Sequence, residues 1–114
     1  MSECIFCKIG AGQIPSKVVL QDDDLLAFED LHPQAPVHVL VIPKRHIGAL
    51  TDAGATEQAL LGRLLEAATR VARQKGIAES GYRVVANTGR NGGQTVFHLH
   101  LHVLGGRPMN WPPG

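Results

Sequence analysis

Seven residues near the end of the chain, His98-Leu99-His100-Leu101-His102-Val103-Leu104, constrain the fold more than any other stretch, because the first six alternate without a break. Period-two alternation is the pattern of a β-strand with two unlike faces. One face takes Phe97, Leu99, Leu101 and Val103 as core, and the other takes His98, His100 and His102. A strand rises roughly 3.3 Å per residue, so neighbouring histidines stand about 6.6 Å apart and the outer pair about 13 Å. One phosphorus or metal centre cannot touch all three equally, so their roles differ. A merely solvated face would be served as well by Ser, Thr, Lys or Glu, and three imidazoles there point to chemistry.

The 114 residues suit one small domain, 1–114, with enough chain for a real core. A net charge of +1 gives no reason to expect a nucleic acid or an anionic membrane as partner. The charge is uneven, however: all ten carboxylates lie at or before Glu79, while Arg83, Arg90 and Arg107 follow it. The histidine segment is therefore carboxylate-free and mildly cationic, which suits a bound anion better than an oxygen-ligated divalent cation. Met1-Ser2-Glu3-Cys4 does not resemble a signal peptide, and no apolar run reaches the length of a membrane helix, so a soluble, cytoplasmic protein is expected. Cys4 and Cys7 form a C-x-x-C pair, a poor disulfide framework for such a chain, which leaves a redox or a metal role open.

Residues 3–10 read as a short helix or turn, broken by Gly12 and Pro15. Val18-Val19-Leu20, the acidic turn Asp22-Asp23-Asp24 and Leu25 to Glu29 read as a hairpin. A loop held by Pro33 and Pro36 leads into His38 to Ile42, apolar enough for a central strand covered on both faces and stopped by Pro43. Residues 56–75 carry helical periodicity, with Leu60, Leu61, Leu64, Leu65, Ala68, Val71 and Ala72 on one stripe and Gly76 as the stop. Tyr82 to Asn87 reads as a strand. The loop Thr88 to Val96 then brings Gly89, Gly92 and Gly93, with Gln94 and Thr95 beside them, to the start of the histidine strand. Its glycines let backbone N–H groups converge on an anion, although no P-loop pattern is present. Trp111, in an irregular tail, must pack either on a partner subunit or back on its own body.

Two chemistries compete for the three histidines. An H-x-H pair can bind zinc, but a catalytic zinc site usually adds another His or a carboxylate, and no carboxylate is near in sequence. Alternatively one imidazole attacks phosphorus, with neighbours that fix its tautomer and protonate the leaving group. The middle histidine is then the natural nucleophile.

His98 to Leu104 resembles the His-φ-His-φ-His-φ-φ signature of the histidine triad superfamily of nucleotidyl hydrolases and transferases. Gly92-Gly93-Gln94, Asp30, Pro33 to His38 and the tail from Gly105-Gly106-Arg107 to Trp111-Pro112-Pro113-Gly114 resemble its purine-nucleotide, phosphoramidase branch. The resemblance implies an α+β, HIT-like fold: a five-stranded antiparallel sheet with one long and one short helix, continued across a two-fold homodimer. It implies cleavage of the P–N bond of purine nucleoside (AMP or GMP) phosphoramidates through a nucleotidyl-histidine on His100, with no catalytic cofactor. His102 and His38 lie toward the leaving group, and His98 supports the triad from the other end. Asp30 accepts hydrogen bonds from the ribose; Ile5, Phe6, Ile9, Phe28, Leu31 and Leu40 wall the purine; Asn87, Gly93, Gln94 and Thr95 hold the phosphate. Some members of the superfamily bind structural zinc through a set equivalent to Cys4, Cys7, His46 and His98. The alternatives are a dinucleoside polyphosphate or nucleotidyl-sulfate hydrolase using the same residues, and a nucleotide-binding adaptor whose hydrolysis is incidental.

Overall fold

In order along the chain, the elements of the computed structural model are α1 (Ile5–Gly10), β1 (Val18–Gln21), β2 (Leu25–Glu29), β3 (Val37–Pro43), 3₁₀ turns at Leu50–Asp52 and Ala55–Glu57, α2 (Gln58–Gln74), β4 (Tyr82–Val85) and β5 (Leu101–Gly105). Residues 3–114 are described, so Met1 and Ser2 of the expected span lie outside the described residues. The strands form one antiparallel sheet in the order β1-β2-β3-β5-β4. No helix among the described residues is long and apolar enough to cross a membrane.

The acidic run closes the β1–β2 hairpin as an Asx turn, Asp22 Oδ1 accepting from the N–H groups of Asp24 (2.8 Å) and Leu25 (3.0 Å). Alternation then divides the side chains of the central strands between two cores. Leu25 and Ala27 of β2, Val39 and Val41 of β3, and Leu99, Leu101 and Val103 pack against Leu64, Ala67, Ala68, Val71 and Ala72 of α2. Leu26, Phe28, Leu40 and Ile42 point the other way and meet Phe6 of α1. β3 is thus buried on both faces, as its unbroken apolar run predicts.

The helical stripe is narrower than its sequence pattern. Leu65 is 55% exposed and Ala67 is buried in its place, because the arc that touches the sheet is 64, 67/68 and 71/72 and Leu65 lies just outside it. α2 ends in a Schellman motif: the Ile77 N–H bonds the Ala72 carbonyl at 2.9 Å and the Gly76 N–H bonds that of Arg73 at 3.1 Å, with Gly76 at φ +75°.

The histidine strand is shorter than the alternation implies. β5 begins at Leu101, so of the three histidines only His102 lies in the ladder, and His98 and His100 sit on the irregular lead-in before it, with a bend at residues 96–98. Pairing stops there for two reasons. β4 ends at Val85, opposite His102, and β3 runs out at Pro43, which has no N–H to offer. The Pro43 carbonyl is taken by the His98 side chain at 2.7 Å, and the Leu99 N–H turns to the Ile47 carbonyl at 2.6 Å. Phe97, expected on the core face, is 61% exposed because it precedes this anchored segment.

Candidate active site

The lead-in and β5 keep the alternation of faces even where the ladder is lost. His98, His100 and His102 all turn away from α2: Phe6 of α1 meets the rings of His98 and His100 edge-on, at centroid distances of 5.9 and 5.1 Å, and the His100 and His102 rings lie 5.0 Å apart. β3 adds His38, whose Nε2 lies 2.9 Å from His102 Nδ1.

Hydrogen-bond partners assign the tautomers. His98 must donate from Nε2 to the Pro43 carbonyl, which leaves its Nδ1 lone pair bare. His100 donates from Nδ1 to the His98 carbonyl at 2.7 Å, which leaves Nε2 as its free nucleophilic atom. The Gln34 N–H donates to His38 Nδ1 at 3.0 Å, so the neutral His38 carries its proton on Nε2 and donates it to His102 Nδ1. His102 in turn presents an Nε2–H. The roles that distance along a strand could only call unequal are separated by three backbone groups and one imidazole pair.

Burial lowers the proton affinity of the His38–His102 pair. His102 is pushed down to about 4 by desolvation and then by the neighbouring His100 and His38, with Asp30 opposing. His38 is lowered by burial, again against Asp30, whose Oδ2 lies 3.4 Å from His38 Nε2. Both imidazoles start from 6.5. As pH falls below that value the unfolded chain binds protons that the native state refuses, so stability is expected to fall from pH 6.5 toward pH 4, where His102 protonates in place. Asp22, Glu29 and Glu57, held below the usual carboxylate range by hydrogen bonds and cationic partners, give up their contribution only at lower pH. Urea unfolding midpoints of the wild type and His102→Gln across pH 4.5–7 test this assignment; parallel curves would contradict it.

A cavity of about 320 Å³ opens beside Phe6 and Phe28, lined by Ile5, Phe6, Ile9, Phe28, Asp30, Leu31, Leu40 and Thr95. These are eight of the eleven nucleotide-contact residues expected from the sequence. Ile14, Pro15, Ser16, Glu29, His32 and Val96, which no sequence pattern marks, complete the wall. They lie in loops or at a strand end, where no periodicity marks a face; the only signal was their closeness in sequence to Val18, Asp30 and the glycine loop. Leu31 is 83% exposed and forms a rim, not a floor. Asp30 Oδ1 accepts from the His32 N–H at 2.8 Å, which aims the carboxylate.

The glycine loop lies next to this cavity. Gly92 passes so close to Thr88 that a Cβ there would meet its carbonyl oxygen at 2.3 Å, so the loop closes only with glycine. Asn87 Nδ2 bonds the Gly92 carbonyl at 2.7 Å, and the Gly93 N–H bonds that of Arg90 at 3.1 Å. Gln94 departs from its expected role as a phosphate ligand. Its side chain accepts from the Gly89 N–H and donates to the carbonyls of Gly48 and Val96, and its own N–H goes to Gly89, so its donors are committed to holding the loop. Thr95 is exposed and makes no side-chain hydrogen bond among the described residues.

Two clusters bring ligand-type atoms together. Cys4, Cys7, His46 and His98 converge to within 4.8 Å of one another, and so do Asp30, His38 and His102. Tautomers distinguish them. The His98 Nδ1 that faces the thiols is a bare lone pair, whereas the His38 Nε2 that faces Asp30 and His102 carries a proton. The first cluster could hold a metal, and the second is arranged as a proton relay. The larger hollow of about 430 Å³ near Asp23, Asp24, Lys44, Arg45 and Arg63 is lined by none of the expected site residues, and its Asp24 and Arg63 already pair with each other.

A model of the HIT domain family matches residues 11–109. The chain belongs to the HIT domain family. This HIT protein is 57% identical over 115 residues to a HIT-like protein of Synechococcus elongatus, the match covering all of both chains. It is 50% identical over 107 residues to the purine nucleoside phosphoramidase of Escherichia coli, covering 94% of this chain and 90% of that one. Among solved structures it resembles a HIT family hydrolase from Legionella pneumophila with a TM-score of 0.96 at 50% identity, covering 98% of this chain and 100% of the other.

Proposed function

We propose that this HIT protein is a cytoplasmic, homodimeric hydrolase of purine nucleoside phosphoramidates that works through a covalent nucleotidyl-histidine on His100. The observation that carries the reading is the free His100 Nε2, made so by the Nδ1–H bond to the His98 carbonyl, on a ring that meets Phe6 of the apolar cavity wall edge-on at 5.1 Å, with the Asp30 carboxylate in the same wall. The purine lies between Ile5, Phe6, Ile9, Phe28 and Leu40, and Asp30 accepts from the ribose hydroxyls. His100 Nε2 forms a bond to phosphorus as the P–N bond breaks, and the departing amine takes a proton held by the His38–His102 pair. The negative charge of the bound phosphoryl group raises the proton affinity that burial has lowered at His102, so the acid is formed where substrate sits. Water then releases the nucleoside monophosphate. The activity of the Escherichia coli relative supports the P–N bond as the one cleaved.

Cys4, Cys7, His46 and His98 hold a structural zinc ion. A tetrahedral site with Zn–N of about 2.05 Å and Zn–S of about 2.3 Å has N···N edges of about 3.3 Å and N···S edges of about 3.5 Å. The observed separations are 3.3 Å for His46–His98, 3.3 Å for Cys4–His98, 3.3 Å for Cys7–His46 and 3.5 Å for Cys7–His98. The ion supplies rigidity and no reaction step. Two free thiols in such a set suit a reducing compartment. The dimer continues the sheet beyond β4, the edge strand on the histidine side, and covers Trp111, which is 81% exposed and so does not fold back on its own body.

Turnover of a panel tests the substrate class. A lysyl adenylate phosphoramidate is expected to have a kcat/KM well above that of a diadenosine polyphosphate. The reverse order would assign the enzyme to polyphosphate hydrolysis, and binding of AMP without turnover of either compound would make it a nucleotide-binding adaptor.

A further inference from the structure

The cysteines that enter the metal cluster sit on the same short helix as the purine wall. Cys4 is the N-cap of α1 and Cys7 lies in its first turn, while Ile5, Phe6 and Ile9, on the six residues between Ile5 and Gly10, line the cavity. A helix this short has no stability of its own. Phe6 is the only fully buried residue it contributes, with Ile9 and Cys4 half-buried against the same cluster, so what its cysteines bind is a large part of what can hold α1 in place. Phe6 touches both sides: its ring meets Phe28 of the purine wall edge-on at 5.6 Å, and meets His98 and His100 at 5.9 and 5.1 Å. The opposite ligands, His46 and His98, belong to the connection after β3 and to the lead-in of β5. His46 is exposed and both cysteines are half-buried, so the cluster is open to exchange with metal in solution.

We infer that metal at Cys4, Cys7, His46 and His98 is an effector of nucleotide binding: by docking α1 it completes the base-binding wall, and metal and purine nucleotide each tighten the binding of the other. The inference rests on the zinc and nucleotide readings above and adds a coupling between them. Linkage requires the coupling to be reciprocal and equal in both directions. It also confines the effect to ligands that carry a base, because α1 lines the base end of the site, whereas the ribose and phosphate groups come from the loop after β2 and the glycine loop.

Calorimetric titration of zinc-loaded, chelator-stripped and zinc-reloaded protein with AMP and with ribose 5-phosphate tests it. AMP is expected to bind about tenfold more weakly to the stripped protein and to recover on reloading, with ribose 5-phosphate nearly unchanged. The reciprocal measurement needs only loaded protein: saturating AMP should raise its zinc affinity, measured by competition with a chromophoric chelator, by the same factor, and ribose 5-phosphate should not. Equal zinc affinities with and without AMP would overturn the coupling and leave the zinc site standing. Equal gains from AMP and ribose 5-phosphate would reduce the effect to general stabilisation and overturn it as well. Protein that takes up no zinc overturns both readings, and zinc uptake without AMP binding overturns the nucleotide reading together with the coupling.

Discussion

His100→Gly is expected to bind AMP at close to wild-type affinity while turnover of a purine phosphoramidate falls by about three orders of magnitude or more. The substitution removes the only triad imidazole whose Nε2 lone pair is left free by its backbone bond, since His98 has its Nε2 on Pro43 and His102 has its Nδ1 engaged by His38. Neither neighbour can take over without breaking its own bond. Binding should survive because the base wall and Asp30 belong to α1, β2 with the loop that follows it, and β3. His102→Gln should lose less, since it removes a proton donor and leaves the nucleophile. Intact-mass measurement after mixing wild-type enzyme with substrate should reveal the nucleotidyl adduct, and its absence from His100→Gly should accompany the loss of rate. Retained turnover in His100→Gly would eliminate His100 as nucleophile.

Removing the metal is expected to lower the thermal midpoint by roughly 10 °C or more. The four ligands come from three separate segments, Cys4 and His98 being 94 positions apart and Cys7 and His46 39 apart. A metal that joins them closes long loops and fixes α1, whose own burial is slight. Without it, two thiols and two imidazoles are left crowded together with no partner of fixed charge. Circular dichroism melts of untagged protein before and after chelation, with metal analysis of the same samples, read the effect. A zinc stoichiometry near zero, or an unchanged midpoint after verified removal, would rule out a structural metal.

The fold was legible where burial imposes a period. The continuous apolar run of β3, the hairpin around Asp22 and the helix before Gly76 all express one-dimensional rules, and all are present. Legibility failed where a position depends on what stands across from it. Leu65 has the right residue type and lies just beyond the contact arc. The alternation of His98 to Leu104 continues through the lead-in, but the ladder ends because Pro43 and the end of β4 withdraw its partners, information that resides in other strands. Gln94 looks like a phosphate ligand because its amide is a good donor; that its donors are already spent on Gly48, Val96 and Gly89 is a tertiary fact. The Cys4, Cys7, His46 and His98 set is another such case. Only the Cys4–Cys7 spacing is local; what joins that pair to His46 and His98 is a family resemblance and the fold, not any spacing in the chain.

The sheet divides its apolar side chains between two faces, and the smaller cluster, Phe6, Leu26, Phe28, Leu40 and Ile42, shares Phe6, Phe28 and Leu40 with the cavity wall. Selectivity for a base and cohesion of that half of the protein are therefore written in the same side chains. Carving room for a bulkier base by truncating Phe28 would also open a hole in the packing, at a cost of about 3–5 kcal/mol for a buried phenylalanine. The α2 face carries no such double duty. A lineage or a laboratory that sought a new ligand preference would need to strengthen Ala67, Ala68 and their neighbours first, and only then loosen the wall.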